Sequence, residues 1–136
     1  MMHYLYGWLA SGLAFLAIDA IWLSQMTSRF YRPAMGDMLA DKPRLGAAAA
    51  FYVLYITGVL VLAVLPALKD GGLARAAFLG AAIGLFAYGT YDLTNHATLR
   101  QWPLRLTLVD MAWGTVLTSL AASAGYWAMR ATGSGS

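Results

Sequence analysis

Three aspartates, Asp19, Asp92 and Asp110, lie in stretches of sequence that are otherwise apolar enough to cross a membrane. A charged side chain at the centre of a membrane helix costs about 3 kcal/mol on insertion scales, so such residues face a bundle interior or a cavity and handle protons, ions or ligands. A carboxyl group in a low dielectric can act as an acid or a base near neutral pH. The sequence therefore predicts a buried polar site around these three residues.

The neighbours of the aspartates are aromatic and recur at helical spacing. Asp19 is followed by Trp22 and Asp110 by Trp113, so Asp-x-x-Trp occurs twice. Residues three apart share a helix face, and an indole offers one N–H donor on an otherwise apolar surface. The candidates for ligand binding or proton handling, including those spaced along the third apolar stretch, are Asp19, Trp22, Tyr88, Tyr91, Asp92, Asn95, Asp110 and Trp113.

Simpler roles exist for these residues. Asp92 lies near the end of its apolar stretch and could reach water, and Arg100 or Arg105 could pair with Asp92 or Asp110 as a structural clamp. Tryptophans near the ends of membrane helices commonly anchor the chain at the interface. This interpretation suits Trp8, Trp22, Trp102 and Trp127.

Composition excludes several classes of protein. The 136 residues are 60% hydrophobic and only 11% charged, whereas soluble domains average about 25% charged residues. The net charge of +3 is not clustered, so nucleic-acid binding is not predicted. The chain has no Cys, no Glu and two His, which excludes disulfides, Cys-based metal sites and the Glu-x-x-His motif of di-iron bundles. We predict no metal and no cofactor.

Four segments approach or exceed the roughly 20 apolar residues needed to cross a bilayer, namely residues 4–25, 45–68, 75–95 and 104–127. Prolines and glycines separate them. The predicted fold is all-α, an integral membrane four-helix bundle formed by one domain over residues 1–132. Residues 133–136 (Gly-Ser-Gly-Ser) are interpreted as an appended linker. The small-xxx-small pattern from Gly80 to Gly84 predicts close packing between two helices.

The connection after the first span has a pattern of its own. Tyr31, Met35, Met38 and Leu39 recur at helical spacing, and Pro33 suits the first turn of a helix. We predict a short amphipathic interfacial helix on the membrane surface. The alternative is a flap over the polar site.

Basic residues predict the orientation. The connections after spans one and three contain six Lys or Arg residues, and the opposite side contains three. Positive charge accumulates in cytoplasmic loops, which predicts that these two connections are cytoplasmic. Asp19 and Asp92 lie towards the ends of spans one and three, and Asp110 lies near the start of span four. Because span four runs in the opposite direction, all three acids fall in one leaflet.

These motifs resemble a known family. The chain is similar, over about residues 5–129, to bacterial predicted membrane proteins called domain of unknown function 2177. The similarity lies in residues 15–23 (Phe-Leu-Ala-Ile-Asp-Ala-Ile-Trp-Leu), 88–95 (Tyr-Gly-Thr-Tyr-Asp-Leu-Thr-Asn) and 109–115 (Val-Asp-Met-Ala-Trp-Gly-Thr). The resemblance implies four helices in the bacterial inner membrane and supplies no activity.

Three functions fit these observations. The first is a site that binds or modifies a small lipid-like or amphipathic molecule, because such sites are aromatic-lined with a few polar groups. The second is a proton- or cation-coupled transporter, for which intramembrane acids are expected. The third is a structural or assembly role in which the acids hold helices together. Whether the chain is an enzyme or a homo-oligomer stays open. The expected partners are the lipid bilayer and a lipid-like ligand.

Overall fold

The computed structural model describes residues 2–133, which form helices joined by short connections. The elements are α1 (Met2–Met26), a π-helical turn (Thr27–Tyr31), α2 (Arg32–Met35), a 3₁₀ turn (Gly36–Met38), α3 (Leu45–Val59), a second π-helical turn (Leu60–Val64), α4 (Leu65–Lys69), α5 (Gly72–Thr98) and α6 (Leu104–Gly133). No strand occurs among the described residues. The all-α prediction is confirmed.

Four continuous helical units are long and apolar enough to cross a membrane, namely Met2–Met38, Leu45–Lys69, Gly72–Thr98 and Leu104–Gly133. They contain the four predicted spans and extend each of them, most at the end of the first. Gly133, the first residue of the predicted linker, is the last residue of α6. Residues 134–136 of that linker lie outside the described part of the chain.

Each π-helical turn ends two residues before a proline. Tyr31 precedes Pro33 in this way, and Val64 precedes Pro66. A proline has no N–H and its ring clashes with the carbonyl one turn earlier, so a regular α-helical turn cannot continue through it. A wider turn before the ring accommodates this clash, which is a recognised cause of helix irregularity. The first of these turns changes the direction in which Tyr31 and its neighbours project.

Helix α6 is the centre of the bundle, because it packs most extensively against α5 and next against α1. Small residues form the α5–α6 crossing. A Cβ at Gly80 would lie 2.7 Å from the Cβ of Ala122 and 2.8 Å from the carbonyl oxygen of Thr118, and a Cβ at Gly84 would overlap the backbone of Gly114. The close packing predicted from the small-xxx-small pattern is confirmed.

The buried side chains form three clusters along the bundle. One contains Val59, Ala122 and Met129, and a second contains Phe15, Ile56 and Leu117. The third cluster consists of Tyr31, Ala34, Trp102 and Leu106, at the end of the bundle where α1 continues into α2 and α5 connects to α6. This third cluster packs beside the aspartates.

The predicted interfacial helix after span one is not confirmed. Only Arg32–Met35 is α-helical, and Gly36–Met38 is a 3₁₀ turn. The proposed apolar stripe does not face one way, because Tyr31 is buried in the third cluster whereas Met38 is 41% exposed. The segment continues α1 and folds back on the bundle, which favours the alternative of a flap over the polar site.

Candidate functional site

A cavity of about 140 Å³ lies among α1, the segment after it, α5 and α6. Its lining combines three carboxyl groups with aromatic rings and a few apolar side chains. The lining residues are Asp19, Leu23, Tyr31, Met35, Tyr88, Tyr91, Asp92, Trp102, Leu106, Asp110 and Trp113. The three aspartates therefore converge on one cavity, as the shared leaflet suggested.

Asp92 is the most deeply buried of the three acids, with a relative exposure of 0%. Neither of its carboxylate oxygens has a hydrogen-bond donor among the described residues. The carboxyl group of Asp110 lies close enough to interact with it electrostatically. The alternative that Asp92 reaches water directly is not supported. Buried polar groups are almost always hydrogen-bonded. Asp92 is unusual because both of its carboxylate oxygens are buried and lack a donor in the described part of the chain.

Asp110 is held by the segment that follows α1. The hydroxyl of Tyr31 donates to Oδ1 of Asp110 at 2.8 Å and accepts a hydrogen bond from Nε1 of Trp22 at 2.9 Å. The chain Trp22 to Tyr31 to Asp110 therefore links two helices through a buried tyrosine. The Tyr31 hydroxyl, which is itself held by Trp22, therefore orients the Asp110 carboxylate.

Asp19, in α1, is held by a side chain of α6. Nε1 of Trp113 donates to Oδ1 of Asp19 at 3.0 Å. The indole of Trp113 stacks on that of Trp22, with ring centroids 4.2 Å apart and an interplanar angle of 8°. Each Asp-x-x-Trp motif therefore supplies an indole that contacts the other motif. Such stacked aromatic pairs contribute about 0.5–1.5 kcal/mol beyond their buried area.

Trp102 closes the cavity near the α5–α6 connection. It is buried, its Nε1 donates to Oγ1 of Thr107 at 3.0 Å, and the ring of Tyr91 meets its ring edge-on at 5.8 Å. Oγ1 of Thr107 lies 3.5 Å from the carbonyl oxygen of Asp92 and 3.3 Å from Nδ1 of His96. Trp102 and Thr107 thus support the part of α5 that carries Asp92.

Among residues 2–133, no Lys, Arg or His side chain lines the cavity. Within residues 2–133 the structure contains one ion pair, between Arg75 and Asp70 at the far end of the bundle. Its nitrogen–oxygen distance is 4.0 Å. Arg100 and Arg105 make no ion pair with Asp92 or Asp110, so the structure does not support the arginine clamp. The acidic charge of the cavity has no basic counterpart.

Six of the eight candidate residues line the cavity. Trp22 does not line it but contacts it through Tyr31 and Trp113. Asn95 is not part of the lining. The structure shows where each of these side chains lies. The function of each residue stays a prediction.

Sequence reasoning missed five residues that line the cavity, namely Leu23, Tyr31, Met35, Trp102 and Leu106. The helical spacing predicts an apolar stripe on the membrane surface that includes Tyr31, and the position of Trp102 predicts an interface anchor. The signal available for Tyr31 was Pro33, because a proline two residues later marks an irregular turn. Nothing in the spacing around Trp102 distinguished it from an anchor.

No group of three or more His, Asp or Glu residues in the described part of the chain is arranged to hold a metal ion. The three carboxyl groups line one cavity but do not converge on one coordination centre. An arrangement of this kind can accept hydrogen bonds, exchange protons between Asp92 and Asp110, and contact flat or positively charged groups through its aromatic rings.

The fold and the site define a multi-pass helical membrane protein with a polar, aromatic-lined cavity inside the bundle. The chain belongs to the family described as predicted membrane protein, domain of unknown function 2177 (DUF2177), whose sequence profile matches residues 4–127. No curated protein and no solved structure matches the chain. The family resemblance that the sequence motifs indicate is therefore confirmed.

Proposed function

We propose that this protein binds a small amphipathic, lipid-like molecule whose polar head occupies the aspartate cavity. The main support for the proposal is Asp92. This residue is fully buried and lines the cavity, and its two carboxylate oxygens have no donor among the residues that the structure describes. A ligand that donates hydrogen bonds to these oxygens removes the cost of leaving them unpaired, about 1–3 kcal/mol.

The size of the cavity argues for a head group rather than a whole lipid. Its volume of about 140 Å³ is close to that of an engineered cavity that holds one benzene molecule, whereas sites for larger ligands span about 300–1,000 Å³. Leu23 and Tyr91 are 43% and 53% exposed and belong to its lining. In our proposal the cavity opens past these side chains towards the lipid, where the apolar tail of the ligand remains.

We predict that the protein purified in a mild detergent retains an amphipathic molecule detectable by native mass spectrometry, and that Asp19→Asn loses it. Asparagine keeps the oxygen that accepts from Trp113 but removes the charge. Losing one charge-assisted hydrogen bond, about 1.5–3 kcal/mol, corresponds to a loss of affinity of about 10- to 100-fold. The matched control is Asp70→Asn, because the Asp70 side chain is 90% exposed and far from the cavity.

Equal occupancy in the wild type, in Asp19→Asn and in Asp92→Asn would contradict the proposal. The competing function is a proton-coupled transporter, which the adjacent carboxyl groups of Asp92 and Asp110 favour. Transport would be the better supported function under three conditions. Proton flux into proteoliposomes would exceed flux into empty vesicles, it would disappear in Asp19→Asn, and the purified protein would retain no amphipathic molecule.

We propose further that the protein lies in the bacterial inner membrane with the cavity in the cytoplasmic leaflet. The support is the excess of Lys and Arg in the two connections beside the cavity. The chain has no cysteine, so single cysteines report the side directly. We expect a membrane-impermeant maleimide to label Asp70→Cys in intact spheroplasts and to label Asp41→Cys only after permeabilisation. The opposite pattern would reverse the orientation.

A further inference from the structure

The charge of the cavity restricts the chemistry of its occupant. Asp19, Asp92 and Asp110 all line it, and no basic side chain in the described part of the chain does. Carboxylates removed from water need a compensating charge or a proton. Within residues 2–133 the hydrogen-bond donors that the structure directs at these carboxylates are the Tyr31 hydroxyl and the Trp113 indole, which are neutral. The remaining compensation must come from protons or from a bound cation.

The walls of the cavity favour an organic cation. Tyr31, Tyr88, Tyr91, Trp102 and Trp113 contribute aromatic rings. A cation placed over the face of such a ring gains about 0.5–2 kcal/mol, more where water is excluded. A metal ion instead needs several oxygen or nitrogen ligands that converge on one point, and the described residues contain no such group.

The unpaired oxygens of Asp92 distinguish between kinds of organic cation. Both oxygens are buried and need donors. A primary ammonium group has three N–H donors, like the lysine side chain, and stays protonated at neutral pH. A quaternary ammonium has none. A phosphate adjoining the amine would meet the negative charge of the three aspartates.

We propose that the ligand of this cavity is an amphiphile with a primary ammonium head and no adjoining phosphate. The ammonium donates to Asp92 and contacts the aromatic rings of the cavity, and the chain leaves past Leu23 and Tyr91. This inference rests on the proposed function and names the chemical class of its ligand.

Dodecylamine is the probe that tests the inference, titrated into the protein in phosphatidylcholine nanodiscs. We expect saturable binding, measured by calorimetry or native mass spectrometry against empty nanodiscs. Asp92→Asn should weaken it at least tenfold, whereas the matched control Asp70→Asn should bind like the wild type. Dodecyltrimethylammonium should bind more weakly than dodecylamine, and dodecanol more weakly still.

The three probes separate failure of this inference from failure of the proposed function. If dodecanol binds as tightly as dodecylamine and both depend on Asp92 equally, the site takes amphiphiles without selecting an amine, and the inference is wrong. If dodecyltrimethylammonium binds most tightly, the site selects cations by ring contact, and the primary ammonium is wrong. If no probe binds in a manner that depends on Asp92, both the inference and the proposed function fail.

Discussion

Asp92→Asn is expected to raise the thermal stability of the ligand-free protein while weakening binding of the amphiphile at least tenfold. The wild-type carboxylate is fully buried, its oxygens face no donor within residues 2–133, and the Asp110 carboxyl lies nearby. An asparagine amide can donate to Asp110 and carries no charge, so the variant is relieved of a cost of about 1–3 kcal/mol. The expected rise in unfolding temperature is a few degrees, measured in detergent micelles from which bound amphiphile has been removed.

A gain in stability with a loss of binding is typical of residues kept for function, because functional sites are often costly to the fold. A purely structural aspartate behaves in the opposite way, since removing one member of a satisfied network leaves its partners unpaired. A lower unfolding temperature in Asp92→Asn, with binding unchanged, would therefore assign Asp92 a structural role. Asp70→Asn serves as the control for charge removal, because it lies in the exposed turn between α4 and α5.

The membrane architecture could be predicted because it depends on composition over long segments. Each span is a run of apolar residues with the length of a bilayer, and that signal does not depend on side-chain contacts. The convergence of Asp19, Asp92 and Asp110 followed from the same reasoning, since the direction of each span fixes the leaflet of each acid. Helix spacing also predicted that each aspartate shares a face with its tryptophan.

The contacts that complete the cavity could not be predicted in this way. Tyr31 reaches Asp110 because the turn before Pro33 is irregular, and a regular helical period places it on another face. Trp102 is buried because the α5–α6 connection folds its ring against Tyr91 and Thr107. Both positions depend on the tertiary packing of segments that are not regular α-helix. Asn95 shows the converse, since correct helical spacing from Asp92 did not bring it into the lining.

Gly84→Ala is expected to destabilise the bundle and to disrupt the cavity together. The added Cβ would overlap the carbonyl group of Gly114, and the hydroxyl of Thr118 would lie 2.9 Å away. Backbone atoms cannot move aside as a flexible side chain can, so α5 and α6 must separate. Overpacking of this kind costs about 1–3 kcal/mol, which should appear as a lower unfolding temperature in detergent micelles.

The effect should reach the site because the same two helices carry its acids. Asp92 lies eight residues after Gly84 on α5, and Asp110 lies four residues before Gly114 on α6. Separating the helices at the glycines therefore moves the two carboxyl groups apart. Tyr88, whose ring packs directly on Gly114, must shift as well. We expect binding of dodecylamine to Gly84→Ala to weaken along with stability.

Gly58→Ala is the matched control for this substitution. Gly58 also lies inside a membrane helix, α3, but a Cβ there meets no atom within 4 Å. Alanine favours the helix by about 1 kcal/mol over glycine, so this variant should be as stable as the wild type or slightly more so, with unchanged binding. If Gly84→Ala matched Gly58→Ala in both measurements, α5 and α6 would not cross as closely as described. The adjacency of Asp92 and Asp110, on which the ligand site depends, would then lose its structural basis.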